Sequence, residues 1–389
     1  MTATPFSLFR RRLVVALGCF VVATAAMQNA LLAQDAKPAE APAFEKPTEW
    51  INALGVSADG KLLAAASTSH AVAVWEVATG KLVQSVIFPM TQNGPGAVMV
   101  SEDATTVFVG NGARRRGSKG AAIVHFDLES GSQSGQSTAD PNWVHVFASS
   151  PKADVVATIG SGWDDSIRLW DKGAMRPVRI WPAHKSRVSA LAMSRDGRRL
   201  ATSGSTSRKT GRDPSLKIWD AATGRELLRM VGHKEGATSL AFSANGRRLI
   251  SVGDDAIKTW NVDTGALLGS VTHVLAKDEG VYEALVAPDA TWVTTVTHAA
   301  DGVTNGYSIR SAADGRTLAK WTSPSQTGRE FAASPDGKLL FTGGNDGVVI
   351  AYDVKTGKVV RTFTLDDKPA IAAKKAFDEA AAKASETAQ

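Results

Sequence analysis

Short apolar runs recur along the chain, each followed by a polar break. KLLAAAS (61–67), RRLATSG (198–204), RRLISVG (247–253) and KLLFTGG (338–344) are too short for helices and are bounded by Gly, Ser and Asp. Runs of this length, rich in small and β-branched residues and closed by turn formers, predict strands. Each is preceded by one turn motif: SADGK at 57–61, SRDGR at 194–198, SANGR at 243–247 and SPDGK at 334–338. Looser copies are SEDAT (101–105), SPKAD (150–154) and APDAT (287–291). The third residues of the seven motifs, Asp59, Asp103, Lys152, Asp196, Asn245, Asp289 and Asp336, are spaced by 44, 49, 44, 49, 44 and 47 residues.

Within each unit the first run is followed by a polar loop and a strand ending in a large residue: Trp75, Phe126, Trp170, Trp219, Trp260, Arg310 and Tyr352. Asp or Asn often comes next, then Thr-Gly or a relative, as at 79–80, 223–224, 264–265 and 356–357, and a fourth strand. Asp-Gly supplies the positive φ of a tight hairpin turn. Four short strands per unit of about 45 residues predict a propeller blade. One sheet cannot bury two faces by itself, so seven such blades close into a ring. The fold class is all-β: a seven-bladed propeller with four antiparallel strands per blade.

The chain resembles the WD40-repeat β-propeller family, of an exported, bacterial type. IRLWD (167–171), LKIWD (216–220) and IKTWN (257–261) carry the Trp-Asp signature, and 183–204 and 232–253 are near-consensus. The resemblance covers residues 49–365; it is strong in blades 3, 4, 5 and 7, moderate in blade 1 and weak in blades 2 and 6. It implies a structural tetrad of His, Ser/Thr, Asp and Trp, complete twice: His184, Thr202, Asp213 and Trp219, then His233, Ser251, Asp254 and Trp260. Asp164 with Trp170 and Asp346 with Tyr352 are partial versions, each Asp standing six residues before its aromatic partner. Repetition and implied burial argue for a structural role over a catalytic triad. Blade 7 is expected to form from one contiguous segment, without strand exchange; residues 40–48 are the alternative donor, weakened by Pro42 and Pro47.

The ends read differently. Arg10 to Arg12 precede a charge-free run, Leu13 to Met27, and then QNALLAQDA. Basic, apolar and small-residue regions in that order predict a signal peptide over 1–33, cut after Ala33 or, upstream, after Ala25 or Ala26. A retained anchor is the competing reading. A lipidated Cys19 fits less well, because apolar residues continue past it. Residues 34–48 have Pro/Ala linker composition, and 366–389 form an Ala/Lys/Glu-rich tail, helical or disordered. The protein is therefore expected in the periplasm, at the cell surface or outside the cell, with no membrane span after processing and as a monomer.

Charge and chemistry narrow the function. Net charge is +6 from 44 Lys+Arg and 38 Asp+Glu. Removing Arg10 to Arg12 leaves 41 − 38 = +3, too mild to announce nucleic-acid binding. Cys19 is the sole cysteine, which excludes a disulfide framework, a thiolate zinc site and an iron–sulfur cluster. There is no Walker loop, nucleophile elbow or haem motif, and the reading assigns no cofactor, no metal and no catalytic residue. The alternative is a metal-dependent hydrolase, lactonase-like, at the channel mouth. Aligned inner-strand positions there are Asn52, Gly96, His145, Ser189, Thr238, Tyr282 and Arg329, with Glu283 and Glu330 next to them.

The leading reading is a non-enzymatic scaffold that binds a protein or an anionic polymer on one loop-rich face. The family resemblance implies that loops joining second to third strands share that face with loops between blades. Two such loops are long and basic, with Arg114, Arg115, Arg116 and Lys119 in one and Arg208, Lys209 and Arg212 in the other. Trp163 lies between them in sequence, and Lys185, Arg187, Lys234 and Arg329 come from inter-blade loops on the same expected side. A basic patch with one aromatic suits an acidic partner surface.

Overall fold

The computed structural model describes residues 50–69, 71–88, 94–111, 123–137, 144–150, 152–160, 166–207, 211–272, 281–298, 305–323, 330–344 and 346–365. They form seven four-stranded antiparallel sheets, each built from strands consecutive in the chain except the fourth, whose second and third strands are separated by a short hairpin. Blade 1 comprises β1 (Ile51–Val56), β2 (Leu62–Ser67), β3 (Ala71–Glu76) and β4 (Leu82–Ile87). Blade 2 comprises β5 (Pro95–Val100), β6 (Thr106–Asn111), β7 (Ile123–Asp127) and β8 (Gln133–Ser137). Blade 3 comprises β9 (Val146–Ala148), β10 (Val155–Ile159), β11 (Ser166–Asp171) and β12 (Pro177–Pro182). Blade 4 comprises β13 (Val188–Met193), β14 (Arg199–Gly204), β17 (Leu216–Asp220) and β18 (Glu226–Met230), with a two-stranded hairpin, β15 (Thr206–Ser207) and β16 (Gly211–Arg212), in its longest loop. Blade 5 comprises β19 (Ser239–Phe242), β20 (Arg248–Val252), β21 (Ala256–Asn261) and β22 (Leu267–Thr272). Blade 6 comprises β23 (Val281–Val286), β24 (Trp292–His298), β25 (Asn305–Ser311) and β26 (Thr317–Ser323). Blade 7 comprises β27 (Glu330–Ala333), β28 (Leu339–Gly343), β29 (Val348–Asp353) and β30 (Val359–Thr364).

The first strand of each blade lies at the centre. β1 neighbours β5 and β27, and the series β5, β9, β13, β19, β23, β27 runs round the ring. The core is divided among the seven joints between blades. Each hydrophobic cluster draws on two adjacent blades, as where Val74, Val86 and Phe88 of blade 1 meet Val107, Val124 and Phe126 of blade 2. Full burial of side chains of this size is worth about 1.5–3 kcal/mol each.

The closing joint is built in the same way. Trp75 of blade 1 packs on Phe363 of blade 7, with ring centroids 5.8 Å apart, and Phe341 and Val349 complete the cluster. Ile51 N–H donates to the Gly344 carbonyl at 2.8 Å. Arg361 donates from its two terminal nitrogens to the Ala78 and Thr79 carbonyls, both at 2.7 Å. Blade 7 is one contiguous segment, as the sequence indicated. Residues 40–48 lie outside the described residues.

Two local devices recur. In all seven blades the third and fourth strands slip register at the large residue that ends the sequence repeat: Trp75, Phe126, Trp170, Trp219, Trp260, Arg310 and Tyr352. A bulge there bends the strand and re-aims its side chain. The other device is the first turn of each blade. Ser57 Oγ donates to Asp59 Oδ1 at 2.7 Å and accepts the Leu62 N–H at 2.9 Å. Ser101 with Asp103, Ser194 with Asp196, Ser243 with Asn245 and Ser334 with Asp336 repeat the serine-to-side-chain bond. Gly60 and Gly197 occupy this turn at φ +75° and +72°. Two of the three looser motifs keep the same turn with alanine, Ala104 at φ 57° and Ala290 at φ 58°.

An alanine there carries a left-handed penalty that glycine escapes. Ala104→Gly and Ala290→Gly are each expected to stabilise the fold by up to about 1 kcal/mol, after the greater freedom of glycine in the unfolded chain is deducted. Urea unfolding midpoints measure the effect; unchanged or lowered midpoints contradict it.

Candidate functional site

The loop face at blades 3, 4 and 5 is organised by two buried polar chains. In blade 4, Trp219 Nε1 donates to Thr202 Oγ1 at 2.8 Å, and Thr202 Oγ1 lies 2.9 Å from His184 Nε2. His184 Nδ1 lies 3.2 Å from Asp213 Oδ2. The ionised Asp213 can only accept, so the single proton of the neutral imidazole sits on Nδ1 directed at Asp213, and Nε2 accepts the Thr202 hydroxyl proton. Asp213 also accepts the Lys185 N–H at 3.1 Å and the Ser215 hydroxyl at 2.5 Å. Burial lowers His184 to about 4 against the opposing pull of Asp213. Burial alone would raise the Asp213 carboxyl; the hydrogen bonds from Ser215 and Lys185, with the charge of Lys217, outweigh it and hold the group at about 2.

Blade 5 repeats the chain with one correction. Trp260 Nε1 donates to Ser251 Oγ at 2.8 Å, and Ser251 Oγ lies 2.7 Å from His233 Nε2. The carboxylate on His233 Nδ1 belongs to Asp255, whereas the six-residue spacing singled out Asp254. Blade 4 reaches its aspartate through a long loop, but blade 5 makes a tight turn with Gly253 N–H donating to the Ala256 carbonyl. That turn leaves Asp254 exposed and points Asp255 inward, five residues before Trp260.

Blades 3 and 7 carry part of the pattern. Trp170 Nε1 donates to Thr158 Oγ1 at 2.8 Å, while Asp164 lies outside the described residues. Asp346 accepts the Val348 N–H at 3.1 Å, and burial raises its carboxyl.

A buried cation stands two residues before the tryptophan in three successive blades: Arg168, Lys217 and Lys258. Lys217 Nζ donates to the Ala183 carbonyl at 2.6 Å, lies 3.0 Å from Glu226 and sits 5.1 Å from the Trp219 ring centre. Lys258 pairs with Asp255. Sequence reasoning missed these residues. Their signal was the single basic residue in otherwise apolar IRLW and LKIW, repeated with a less apolar third strand in IKTW.

These networks tie loops together. Asp213 fixes the start of the loop that carries Lys185 and Arg187. Ser205 N–H donates to Ser186 Oγ and to the Arg187 carbonyl, both at 3.1 Å, and Thr206 N–H donates to the Glu235 carbonyl at 3.3 Å. The loops of 183–187, 205–215 and 232–236 are therefore joined directly, and Lys185, Arg187, Arg212 and Lys234 are all exposed on them. Of the other expected contact residues, Arg114, Arg115, Arg116, Lys119, Trp163, Arg208, Lys209 and Arg329 lie outside the described residues.

Among the described residues, two of the aligned channel positions spend their hydroxyls on backbone carbonyls. Ser189 Oγ donates to the Ala237 carbonyl at 2.7 Å, and Thr238 Oγ1 to the Val252 carbonyl at 3.2 Å. Arg329 and the side chains of Tyr282 and Glu283 lie outside the described residues.

The WD domain, G-beta repeat family model matches residues 175–220, 224–261 and 329–353, in the blades where the motifs are strongest. Transducin beta-like protein 3 of Bos taurus is 25% identical over 160 residues, 41% of this chain and 19% of that protein. The Rattus norvegicus protein of the same name is 28% identical over 160 residues, with the same coverage. The chain thus spans about a fifth of the length of these curated relatives. A chain of a solved structure titled "Crystal Structure of Mitotic Checkpoint Complex" superposes with a TM-score of 0.62 at 20% identity, covering 81% of this chain and 93% of that one, which shows a shared fold. Repeats, bulges and buried tetrads together define a seven-bladed β-propeller that carries WD40 repeats over the matched residues.

Thr202→Val is expected to cost about 2–4 kcal/mol, because the Trp219 N–H and His184 Nε2 both lose their buried partner; urea unfolding against Ser270→Ala, at an exposed strand position, as the control measures it. The histidine also makes stability pH-dependent. The unfolded chain takes up this proton near 6.5 and the folded chain only near 4. Stability is therefore full above pH 6.5 and falls as pH drops toward about 4, by about 3 kcal/mol from His184 alone. Unfolding series from pH 7.5 to 4.5 should show that slope, and His184→Gln should flatten it.

Proposed function

We propose that this WD40 propeller is a non-enzymatic, exported scaffold that binds a protein or an anionic polymer on the basic rim of its loop face. The observation that carries the reading is the rim itself: Lys185, Arg187, Arg212 and Lys234 project from three loops bonded to one another across the joints of blades 3, 4 and 5. Preformed loops bind without the entropic cost of ordering them on contact. Clustered cations on a fixed frame attract an acidic surface and hasten encounter with it.

Two further points support this reading. The Ser/Thr–His–Asp groups that mimic a catalytic triad are buried, and each hydroxyl already accepts an indole proton. Export is supported by the order of basic, apolar and small-residue regions over residues 1–33. The aromatic contribution of Trp163 and the cations of the two long loops extend the same patch in this reading.

The test is capture from a cell-envelope extract with the 389-residue chain as bait. Beside it runs a variant carrying Glu at Arg187, Arg208, Lys209, Arg212 and Lys234, shown to be folded by circular dichroism. A partner retained at low salt, released as salt rises and absent from the variant is the expected result. Equal retention by both proteins removes the rim from consideration.

A further inference from the structure

Each blade ends in an outer strand, and an open strand edge is a template for pairing with another chain unless something blocks it. Most of these edges carry a charge or proline. β12 begins and ends in proline and holds Arg179. β18 holds Glu226 and Arg229, β26 holds Lys320, and β30 holds Arg361. β8 is largely polar. β4 is neutral, but its Gln84 reaches across to the Leu128 and Glu129 carbonyls of blade 2, both at 3.4 Å. β22 (LLGSVT) has none of these devices. Only Val271 in it is half-buried; the rest is exposed, Leu267 at 48% and Leu268 at 52%. No Lys, Arg, Asp or Glu stands between Asp263 and Lys277 in the chain.

A glycine sits within this edge. The residue paired one step before the register slip is Arg179 in blade 3, Arg361 in blade 7 and Gln84 in blade 1, and each leans over the next blade. In blade 5 that residue is Gly269, where a Cβ would meet no atom within 4 Å. Blade 2 also has glycine here, Gly135, but the His125 ring lies 3.1 Å from where its Cβ would stand. A mid-strand glycine facing open space lets another backbone approach closely.

The charge pattern selects the approaching chain. When two copies of one strand pair antiparallel about a two-fold axis, each charge near the axis meets its own copy, and like charges across a pair destabilise it. Arg179 and Arg361 stand at the step that Gly269 occupies, and Arg229 and Lys320 stand one residue beyond it. β22 alone among the aliphatic outer strands combines neutrality with open space at that step. We propose that β22 pairs antiparallel with β22 of a second copy of this chain, the two-fold axis passing at Gly269, so that two blade 5 sheets join edge to edge. A contact confined to one six-residue strand is smaller than the roughly 1,200 Å2 of a standing complex. Dimers therefore form at high concentration, and the monomer expected from the sequence is the dilute state. The contact lies on the outer circumference and does not depend on the basic rim's having a partner.

Sedimentation equilibrium of the full chain, as protein rises from about 1 μM to about 1 mM, tests the assignment. The expected result is a shift from monomer to dimer. Gly269→Lys and Gly269→Glu have room for their side chains in the monomer, so both variants should fold. Each by itself should weaken association by about tenfold or more through like-charge repulsion, and an equal mixture of the two should restore it. Thr362→Lys, exposed on β30, should leave association unchanged. A chain that stays monomeric throughout leaves the edge to another occupant and overturns the proposal. Dimers that both Gly269 variants retain overturn it too, as does a mixture no tighter than its parts or equal weakening by Thr362→Lys.

Discussion

Everything in this molecule depends on burial between blades. A four-stranded sheet whose residues are apolar on both faces has no stable existence alone in water. Each blade here offers one face forward and one face back, and every core cluster is shared by two neighbours. The ring is therefore the smallest unit in which all faces are covered, and its last joint matters as much as any other. That joint is closed by packing of Trp75, Phe341 and Phe363 and by the hold of Arg361 on two carbonyls of blade 1.

Polar chemistry is layered on that apolar frame. The chains through Thr202 and Ser251 satisfy an indole and an imidazole at once, deep enough to keep His184 neutral. A buried cation nearby offsets the negative aspartate in blades 4 and 5. A network of this kind is stabilising only when every member has its partner. Blade 5 keeps it complete by substituting one aspartate for its neighbour when the turn shortens. The functional consequence is positional: these interior bonds fix the loops whose outer residues are basic.

The two ends of the channel consequently differ. At the loop face, inner-strand hydroxyls are committed to backbone carbonyls, and cations stand on the surrounding rim. At the turn face, side chains that the joints do not fully cover, Leu54, Met99 and Met193 among them, share a funnel with polar surface. One architecture thus presents two chemically distinct surfaces.

How much of this was legible in the residues differs by kind. Repeat length, strand number, turn residues and the large residue ending each third strand were written in the order of the chain, because hairpin turns and alternating strands obey local rules. The site at which all seven outer strand pairs slip coincided with that large residue, although its meaning as a bulge was not readable. Blade 4's tetrad followed from spacing, whereas the partner of His233 did not. A difference of one residue in turn geometry decides which carboxylate faces inward. The half-buried lining of the funnel was equally hidden, since it depends on how much of each inner strand two neighbours leave uncovered. Local sequence determined the blades and their turns through short-range sterics and hydrogen bonding. Only the closed ring decided which polar groups meet, which loops join into one rim and which apolar side chains remain open to the channel, because those outcomes depend on distances between residues far apart in the chain.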